Sequence, residues 1–372
     1  MACQLKTLLV LLFFLLISNL QHCVNGIPQV PCLFIFGDSL SDNGNNNNLV
    51  TRAKANYQPY GIDFPEGPTG RFTNGRNIGD IIAELLGFEN YIPPFASAPE
   101  GFEILKGVNY ASGSAGIRNE SGQHLVILSP ELQGNRISLD RQLQNHQYTV
   151  SHIIEMLGGN QRATMYLSKC MYSITIGSND YLSNYFLPMF YPTSQQYTPE
   201  QYAKLLIQQL TQQVMTLYRY GARKVVLYGL GQLGSIPIVL SLCGIISSSC
   251  EDSFNKVVQL FNDRLLSLVA DLNKNLWQAK FIFINTTSMD LEYTSSTFQG
   301  SMVKNASCCE LLGFGQFQCS PSGYVCHNRS QYMFWDAVHP TEAAYEFYGG
   351  RAYRAQSPTD AYPFDISYLA KL

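Results

Sequence analysis

Three side chains carry the chemistry of this sequence. Asp336 and His339 stand three residues apart in Phe334-Trp335-Asp336-Ala337-Val338-His339-Pro340, and Ser39 stands near the other end of the chain, in Phe36-Gly37-Asp38-Ser39-Leu40. A serine hydroxyl is nearly inert at neutral pH. It becomes a nucleophile when an imidazole takes its proton and a carboxylate holds that imidazole in the right tautomer. A spacing of three places two side chains on the same side of one helical turn, so the carboxylate can reach Nδ1 while Nε2 faces a serine. Pro340-Thr341-Glu342-Ala343-Ala344 then reads as a helix start, with Pro340 at the first helical position. By itself the pair also fits a surface carboxylate beside a histidine at a helix cap.

The elements around Ser39 sharpen the reading. Val30-Pro31-Cys32-Leu33-Phe34-Ile35-Phe36 is a short apolar run ended by Gly37, and it reads as a buried strand with Ser39 at its carboxyl end. The run Asn43 to Asn48 follows, and on composition alone it could be a solvated loop. Further on stand Gly107-Val108-Asn109-Tyr110-Ala111-Ser112-Gly113 and Ile176-Gly177-Ser178-Asn179-Asp180-Tyr181. Taken singly, Gly113 and Gly116 could be turn glycines, and Asn179-Asp180 an Asx turn or a helix cap.

Taken together, in this order, these four stretches resemble the signature blocks of the plant GDSL esterase/lipase family, part of the wider SGNH hydrolases. The resemblance runs from about residue 30 to the C-terminus. It implies a carboxylic-ester hydrolase with Ser39 as nucleophile, His339 as general base and then acid, and Asp336 as the orienting carboxylate. It also implies an oxyanion hole made of the backbone N–H of Ser39, the backbone N–H of Gly113 and the side-chain amide of Asn179. Preorganised donors of this kind suit the charge that develops on a tetrahedral intermediate. One position departs from the family pattern: Ser114 stands where a second glycine is usual. The implied reaction uses an ester substrate and an acyl-enzyme, with no metal and no organic cofactor.

Composition agrees with a secreted globular enzyme. The chain has 372 residues, 46% hydrophobic and 14% charged, with a formal net charge of -3. It can bury a large core and has no electrostatic footprint for nucleic acid. Lys6, the apolar run Leu8 to Leu16 and the small residues near Gly26 read as a signal peptide over 1–26, too short to span a bilayer. One hydrolase domain over 27–372 remains, with no transmembrane anchor and an extracellular destination, the cell wall included. The C-terminal Ala370-Lys371-Leu372 is similar to a peroxisomal signal, but a signal peptide is read first, during synthesis.

Ten cysteines fit that route. Cys3 and Cys23 would leave with the signal peptide, and eight remain, an even set that suggests disulfides in an oxidising compartment. Cys243 and Cys250 enclose a short loop. Cys308, Cys309, Cys319 and Cys326 have room for two local bridges in a pairing that spacing leaves open, and their spacing does not suit structural zinc. Cys32 and Cys170 both precede strand runs, which suggests a link between neighbouring strand starts. Asn119, Asn285, Asn305 and Asn328 each open an N-glycosylation sequon.

Strand-like runs at 107–111, 171–176, 224–228 and 280–284 alternate with helical stretches at 77–86 and 139–157, one opened by Thr198-Pro199-Glu200, and an apolar stripe from Phe254 to Leu276. Alternation of this kind predicts an α/β fold with a five-stranded parallel sheet and helices on both faces. The resemblance adds a flavodoxin-like strand order of 2-1-3-4-5. The candidate residues then gather at the carboxyl edge, where open α/β sheets bind ligands. The stretches 51–75 and 185–197, rich in Pro, Gly and aromatics, are expected to rim the site. An ordinary α/β-hydrolase would need a second glycine two residues after Ser39, where Ser41 stands. Two other readings share the same residues: an acyltransferase with an alcohol acceptor, and a secreted binding protein on an inactive hydrolase scaffold.

Overall fold

Four runs of five residues, Leu33–Gly37 (β1), Met171–Thr175 (β2), Lys224–Tyr228 (β3) and Lys280–Ile284 (β4), pair in parallel in that order. Every residue of β1 and β2 is buried, as are the last four of β3 and β4. Strands buried along nearly their whole length leave no face in water, so helices must cover both. This computed structural model describes residues 27–97, 101–124, 134–246, 249–295, 302–313 and 316–372. The expected signal peptide, 1–26, lies outside the described residues.

The sheet is the mostly parallel α/β sheet expected, with two differences in detail. The stretch 107–111 lies beside β1, but it pairs only through isolated bridges, Asn109 with Ile35 and with Pro94. A fifth ladder strand, Ala361–Tyr362, closes the other edge antiparallel to β4. The segment nonetheless runs along β1, Ile35 N donating to Val108 O at 3.1 Å, Tyr110 N to Ile35 O at 2.7 Å and Ser112 N to Gly37 O at 3.1 Å. A Cβ on Gly107 would meet the carbonyl oxygen of Leu33 at 1.9 Å, so the approach needs glycine there. The Asn109 side chain donates to Ser41 O at 2.7 Å in the loop after β1.

Helices Leu139–Leu157, Pro199–Arg219 and Cys250–Asn275 pack in a row, while Ile78–Leu85, Glu342–Tyr353 and Ile366–Lys371 form a second group. Local signals set their ends. Asn77 makes a capping box with Asp80, and Thr198 makes one with Gln201 ahead of Pro199. The stripe expected in Cys250–Asn275 is core: Val258, Phe261, Leu265, Leu268, Val269 and Leu272 are all buried. Among the described residues, no helix is long and apolar enough to cross a membrane.

The eight cysteines pair as Cys32–Cys170, Cys243–Cys250, Cys308–Cys326 and Cys309–Cys319. The first ties the starts of β1 and β2 across 138 residues of chain, whereas the second closes a loop of separation 7. In the chain-entropy view a longer closed loop removes more freedom from the unfolded state. Replacing Cys32 and Cys170 together with alanine should therefore lower Tm more than replacing Cys243 and Cys250, with a loss of about 2–5 kcal/mol for the first pair. Thermal denaturation of both double variants checks the order; an equal or reversed order would contradict it.

Candidate active site

Ser39 follows β1 by two residues, and its position depends on how tightly β1 ends against β2. Gly37 has φ +156°, and a Cβ there would lie 2.4 Å from the carbonyl oxygen of Thr175. The same carbonyl accepts the Asp38 N–H at 3.1 Å. From the helix above, Gln142 grips Gly37 twice, accepting its N–H at 2.9 Å and donating to its carbonyl at 2.7 Å. The Asp38 carboxylate accepts the Leu40 N–H at 3.0 Å, and its carbonyl accepts those of Ser41 and Asp42. Ser39 thus sits on a tight, bonded turn.

His339 Nε2 lies 2.8 Å from Ser39 Oγ, and its Nδ1 lies 2.7 and 2.9 Å from the two oxygens of Asp336. Asp336 is fully buried and His339 nearly so. The pair is held by a bend rather than by helical spacing. Asp336 Oδ1 accepts the backbone N–H of Val338 and of His339 at 2.9 and 2.8 Å, which folds the segment back on itself. The helix begins later than expected: Thr341 is the N-cap, accepting from Ala344 N, and Pro340 stands before it. Its carbonyl accepts from Thr73 Oγ1 at 3.0 Å, and the Phe72 ring lies against the imidazole with centroids 5.0 Å apart.

Tyr60, within the stretch 51–75 expected to rim the site, completes the carboxylate's shell. Its hydroxyl, fully buried, donates to Asp336 Oδ2 at 2.7 Å and accepts the N–H of Cys319 at 3.2 Å. The insertion 51–75 and the disulfide-bonded segment 308–326 therefore meet on the acid. Trp335 is also fully buried there, with its carbonyl accepting from Cys308 and Cys309 and its N–H donating to His339 O.

The asparagine run is the second thing that composition hid. Asn43, Asn45 and Asn46 are at most 4% exposed, so the run is not a solvated loop. Asn45 donates to the carbonyls of Asn109 and Ala111, Asn46 to those of Ala53 and Gly113, and Asn47 to that of Thr69. Each amide supplies donors to a backbone that no ladder satisfies. Asp42 belongs to the same knot, accepting from Gly44 N and Asn45 N at 2.8 Å and from Gly113 N at 2.8 Å. The Gly113 N–H, expected as an oxyanion donor, is bonded to the Asp42 carboxylate in this structure.

Asn179 lies between two cavities. Its Nδ2 donates one hydrogen to Ala115 O at 3.0 Å. A cavity of about 740 Å³ reaches Ser39 and Asn179 and is walled chiefly by apolar side chains, among them Ile176, Leu182, Ile236, Met289 and Met333. A smaller space of about 90 Å³ also touches Ser39 and Asn179, together with His339, Phe72 and Ser114. Arg52, Ala53 and Phe72 of the first expected rim line this space, but 185–197 does not. That segment packs elsewhere: the Tyr185 ring stacks on Tyr202, and the Tyr191 hydroxyl accepts from His124 N. The sequon asparagines Asn119, Asn305 and Asn328 are exposed and Asn285 is half-buried.

Ser39 Oγ, the His339 ring and the Asp336 carboxylate stand in one hydrogen-bonded line, the arrangement that serine hydrolases use. The GDSL-like Lipase/Acylhydrolase family model matches residues 33–350, and the chain belongs to that family. GDSL esterase/lipase At1g29670 of Arabidopsis thaliana is 50% identical over 347 residues, which cover 92% of each chain. GDSL esterase/lipase At5g45670 of the same plant is 46% identical over 366 residues, 98% of this chain and 99% of the relative. The protein is a carboxylic-ester hydrolase.

Burial raises four carboxyl groups around this edge: Asp38 to about 7, and Asp42, Asp180 and Asp290 to about 6. A carboxyl whose folded value lies above its unfolded one binds its proton more tightly when folded. Its favourable contribution is complete below the ordinary value of 3.8 and is lost as pH rises through about 6–7. His146, held by burial at about 3, works the other way, but it is one group against four. Tm should therefore be higher at pH 5 than at pH 8, and Asp38→Asn should reduce the difference; a flat or opposite profile would contradict the burial argument. Tyr60→Phe leaves Asp336 Oδ2 and Cys319 N each short of a partner. We expect it to cost about 1–3 kcal/mol of stability and to lower kcat with KM little changed, as steady-state kinetics on the folded variant would show.

Proposed function

We propose that this hydrolase works through an acyl-enzyme on Ser39 and that it acts on esters of apolar acyl chains after export from the cell. The observation that carries the reading is the continuous line from Ser39 Oγ through both ring nitrogens of His339 to Asp336. His339 Nε2 takes the Ser39 proton as Oγ attacks the ester carbonyl. The tetrahedral intermediate collapses, the carbon–oxygen bond to the alcohol breaks, and the leaving alkoxide receives that proton from the imidazolium. Water then repeats the sequence: it loses a proton to His339, attacks the acyl carbon, and Ser39 leaves with that proton restored. Asp336, fixed by three N–H or O–H donors besides the ring, keeps Nδ1 protonated and offsets the imidazolium charge.

The larger cavity supports the substrate class. About 740 Å³ lies in the usual range for a ligand pocket, and its mostly apolar walls suit a hydrocarbon chain. Ser39 at its edge would receive the carbonyl, and the smaller space beside His339 is placed for the alcohol or for water. Export is supported by the apolar N-terminal run and by the four disulfide pairs, which persist in oxidising compartments. Residues 27–372 are proposed as one catalytic domain, and the exposed sequons at Asn119, Asn305 and Asn328 as glycosylation sites.

Ser39→Ala should abolish both ester hydrolysis and labelling by a fluorophosphonate probe. Labelling retained by the folded variant would show that another residue carries the reaction. Asn179→Ala should lower kcat about a hundredfold with KM similar, the pattern for a lost oxyanion donor; a raised KM with kcat intact would make Asn179 a substrate-binding residue instead. A panel of esters differing in chain length, assayed with water and alcohol acceptors in competition, should give mainly free acid and favour chains long enough to fill the cavity.

A further inference from the structure

We propose that Asn305 carries an N-linked glycan that stands at the mouth of the acyl cavity and turns the enzyme towards esters dissolved as single molecules rather than esters packed in a lipid surface. The proposal rests on the reading above of an exported hydrolase of apolar acyl esters. The cavity runs beyond the carboxyl ends of four strands, touching Ser39 after β1, Asn179 after β2, Gly231 after β3 and Thr286 after β4. At the usual strand spacing that is a span of about 14 Å. Most of its wall is buried or half-buried. Among the described residues, the exposed members of the wall are Lys304 and Asn305, so the cavity opens beside them.

Both residues lie on strand Val303–Ser307, which pairs out of step with Tyr332–Phe334: Val303 faces Tyr332 and Ser307 faces Phe334. Five residues thus stand opposite three, and a bulge must hold the excess. Lys304, Asn305 and Ala306 are the ones pushed out, and all three are exposed. Asn305 opens the sequon Asn305-Ala306-Ser307. The other three sequon asparagines have their amide oxygen engaged: Asn119 accepts from Ser138 Oγ at 2.6 Å, Asn285 from Ser288 N at 3.2 Å and Asn328 from Ser330 Oγ at 2.7 Å. Among the described residues the Asn305 amide has no partner. During export, transfer joins its Nδ2 to the anomeric carbon of an oligosaccharide carried on a lipid diphosphate. The bond from that carbon to the diphosphate oxygen breaks, the lipid diphosphate leaves, and the amide gives up one proton.

The neighbours of Asn305 decide what the sugar does. Helix Pro237–Ile246 packs against the same strand, and its sequence is apolar along most of its length. Ile236 before it and Leu240 within it wall the cavity, while Leu242 is 38% exposed. An apolar rim around the opening of an apolar cavity is a surface that lipid attracts, and the Lys304 ammonium beside it suits anionic head groups. A glycan is bulky and solubilising. On Asn305 it holds this rim off a flat lipid layer. A single ester in solution needs only the width of one chain and passes beside it.

Peptide masses of the enzyme secreted by a eukaryotic host, with and without a glycan-releasing amidase, should show Asn305 occupied; an unmodified Asn305 overturns the proposal. Ser307→Ala removes the acceptor signal and keeps Asn305, Ser307→Thr keeps the signal, and Ser330→Ala removes the sequon at Asn328 as a control. Each variant is assayed on one acyl chain in two forms, a soluble chromogenic ester and the matching triacylglycerol in emulsion. Ser307→Ala should raise the emulsion rate relative to the soluble ester by about fivefold or more, the size expected from taking part of one leucine out of water. Its kcat/KM on the soluble ester should hold, and Ser307→Thr and Ser330→Ala should match the parent. If Ser307→Ala is not secreted, trimming the folded parent with an endoglycosidase makes the same comparison. An unchanged ratio, or an equal gain from Ser330→Ala, overturns the proposal while the hydrolase reading stands. No hydrolysis of either form by the parent overturns both.

Discussion

A hydrogen bond of 2.8 Å joins Ser39 to His339 across 300 residues of sequence, and most of the molecule is organised by the need to make it. The turn that carries the serine is fastened at its start, because β1 ends against β2 with no room for a side chain at Gly37 and Gln142 bonds the same residue from above. The histidine must come to it. It is delivered by a bend that closes on its own carboxylate, stacked on Phe72 and followed by a capped helix whose start is tied to the first insertion through Thr73 and Asn74. Each of these contacts is short range and well bonded. Together they replace the flexibility of two distant loops with one fixed geometry, as a preorganised site requires.

Buried polar groups do much of the fixing. Asp42 and Asp180 accept from backbone N–H groups, Asn45 and Asn46 donate to backbone carbonyls, and Tyr60 donates to a carboxylate, all beyond the end of the sheet. Asp180 is the counterpart of Asp42 on the far side of the site, accepting from Ile117 N, Arg118 N and Ser121 Oγ. A fully satisfied network of this kind is rigid but costly to ionise, and burial indeed raises both carboxyls to about 6. The cost of holding these charges falls at mildly acidic pH.

Strand positions, and the three residues that the fold brings together at Ser39, were legible because each is a local signal. Short apolar runs marked β1 to β4 within a residue or so, Thr198-Pro199-Glu200 marked a helix start, and Ser39, Asp336 and His339 were carried by short motifs. What the sequence did not yield depends on contacts between distant segments. Tyr60 reads as one aromatic among several in a Pro- and Gly-rich insertion, and only the fold places its hydroxyl on Asp336. The asparagine run has the composition of a solvated loop, because composition counts polar side chains and cannot see that backbone carbonyls from 109 to 113 are waiting for them. The bond from Gly113 N to the Asp42 carboxylate likewise joins two segments far apart in the chain. The Asp336 to His339 spacing was right for a reason other than helical periodicity, since a carboxylate that caps its own turn needs the same three residues.

Direct observation of the acyl-enzyme is the most searching test of this account. The enzyme would be mixed with an excess of a chromogenic long-chain ester, quenched in acid within the first turnovers, digested, and its peptides weighed. The account predicts a burst of alcohol equal to the enzyme concentration and one acyl mass added to the peptide containing Ser39. Steady turnover with no burst and no acylated peptide, under conditions where deacylation is slowed by lowering the pH, would contradict covalent catalysis at Ser39.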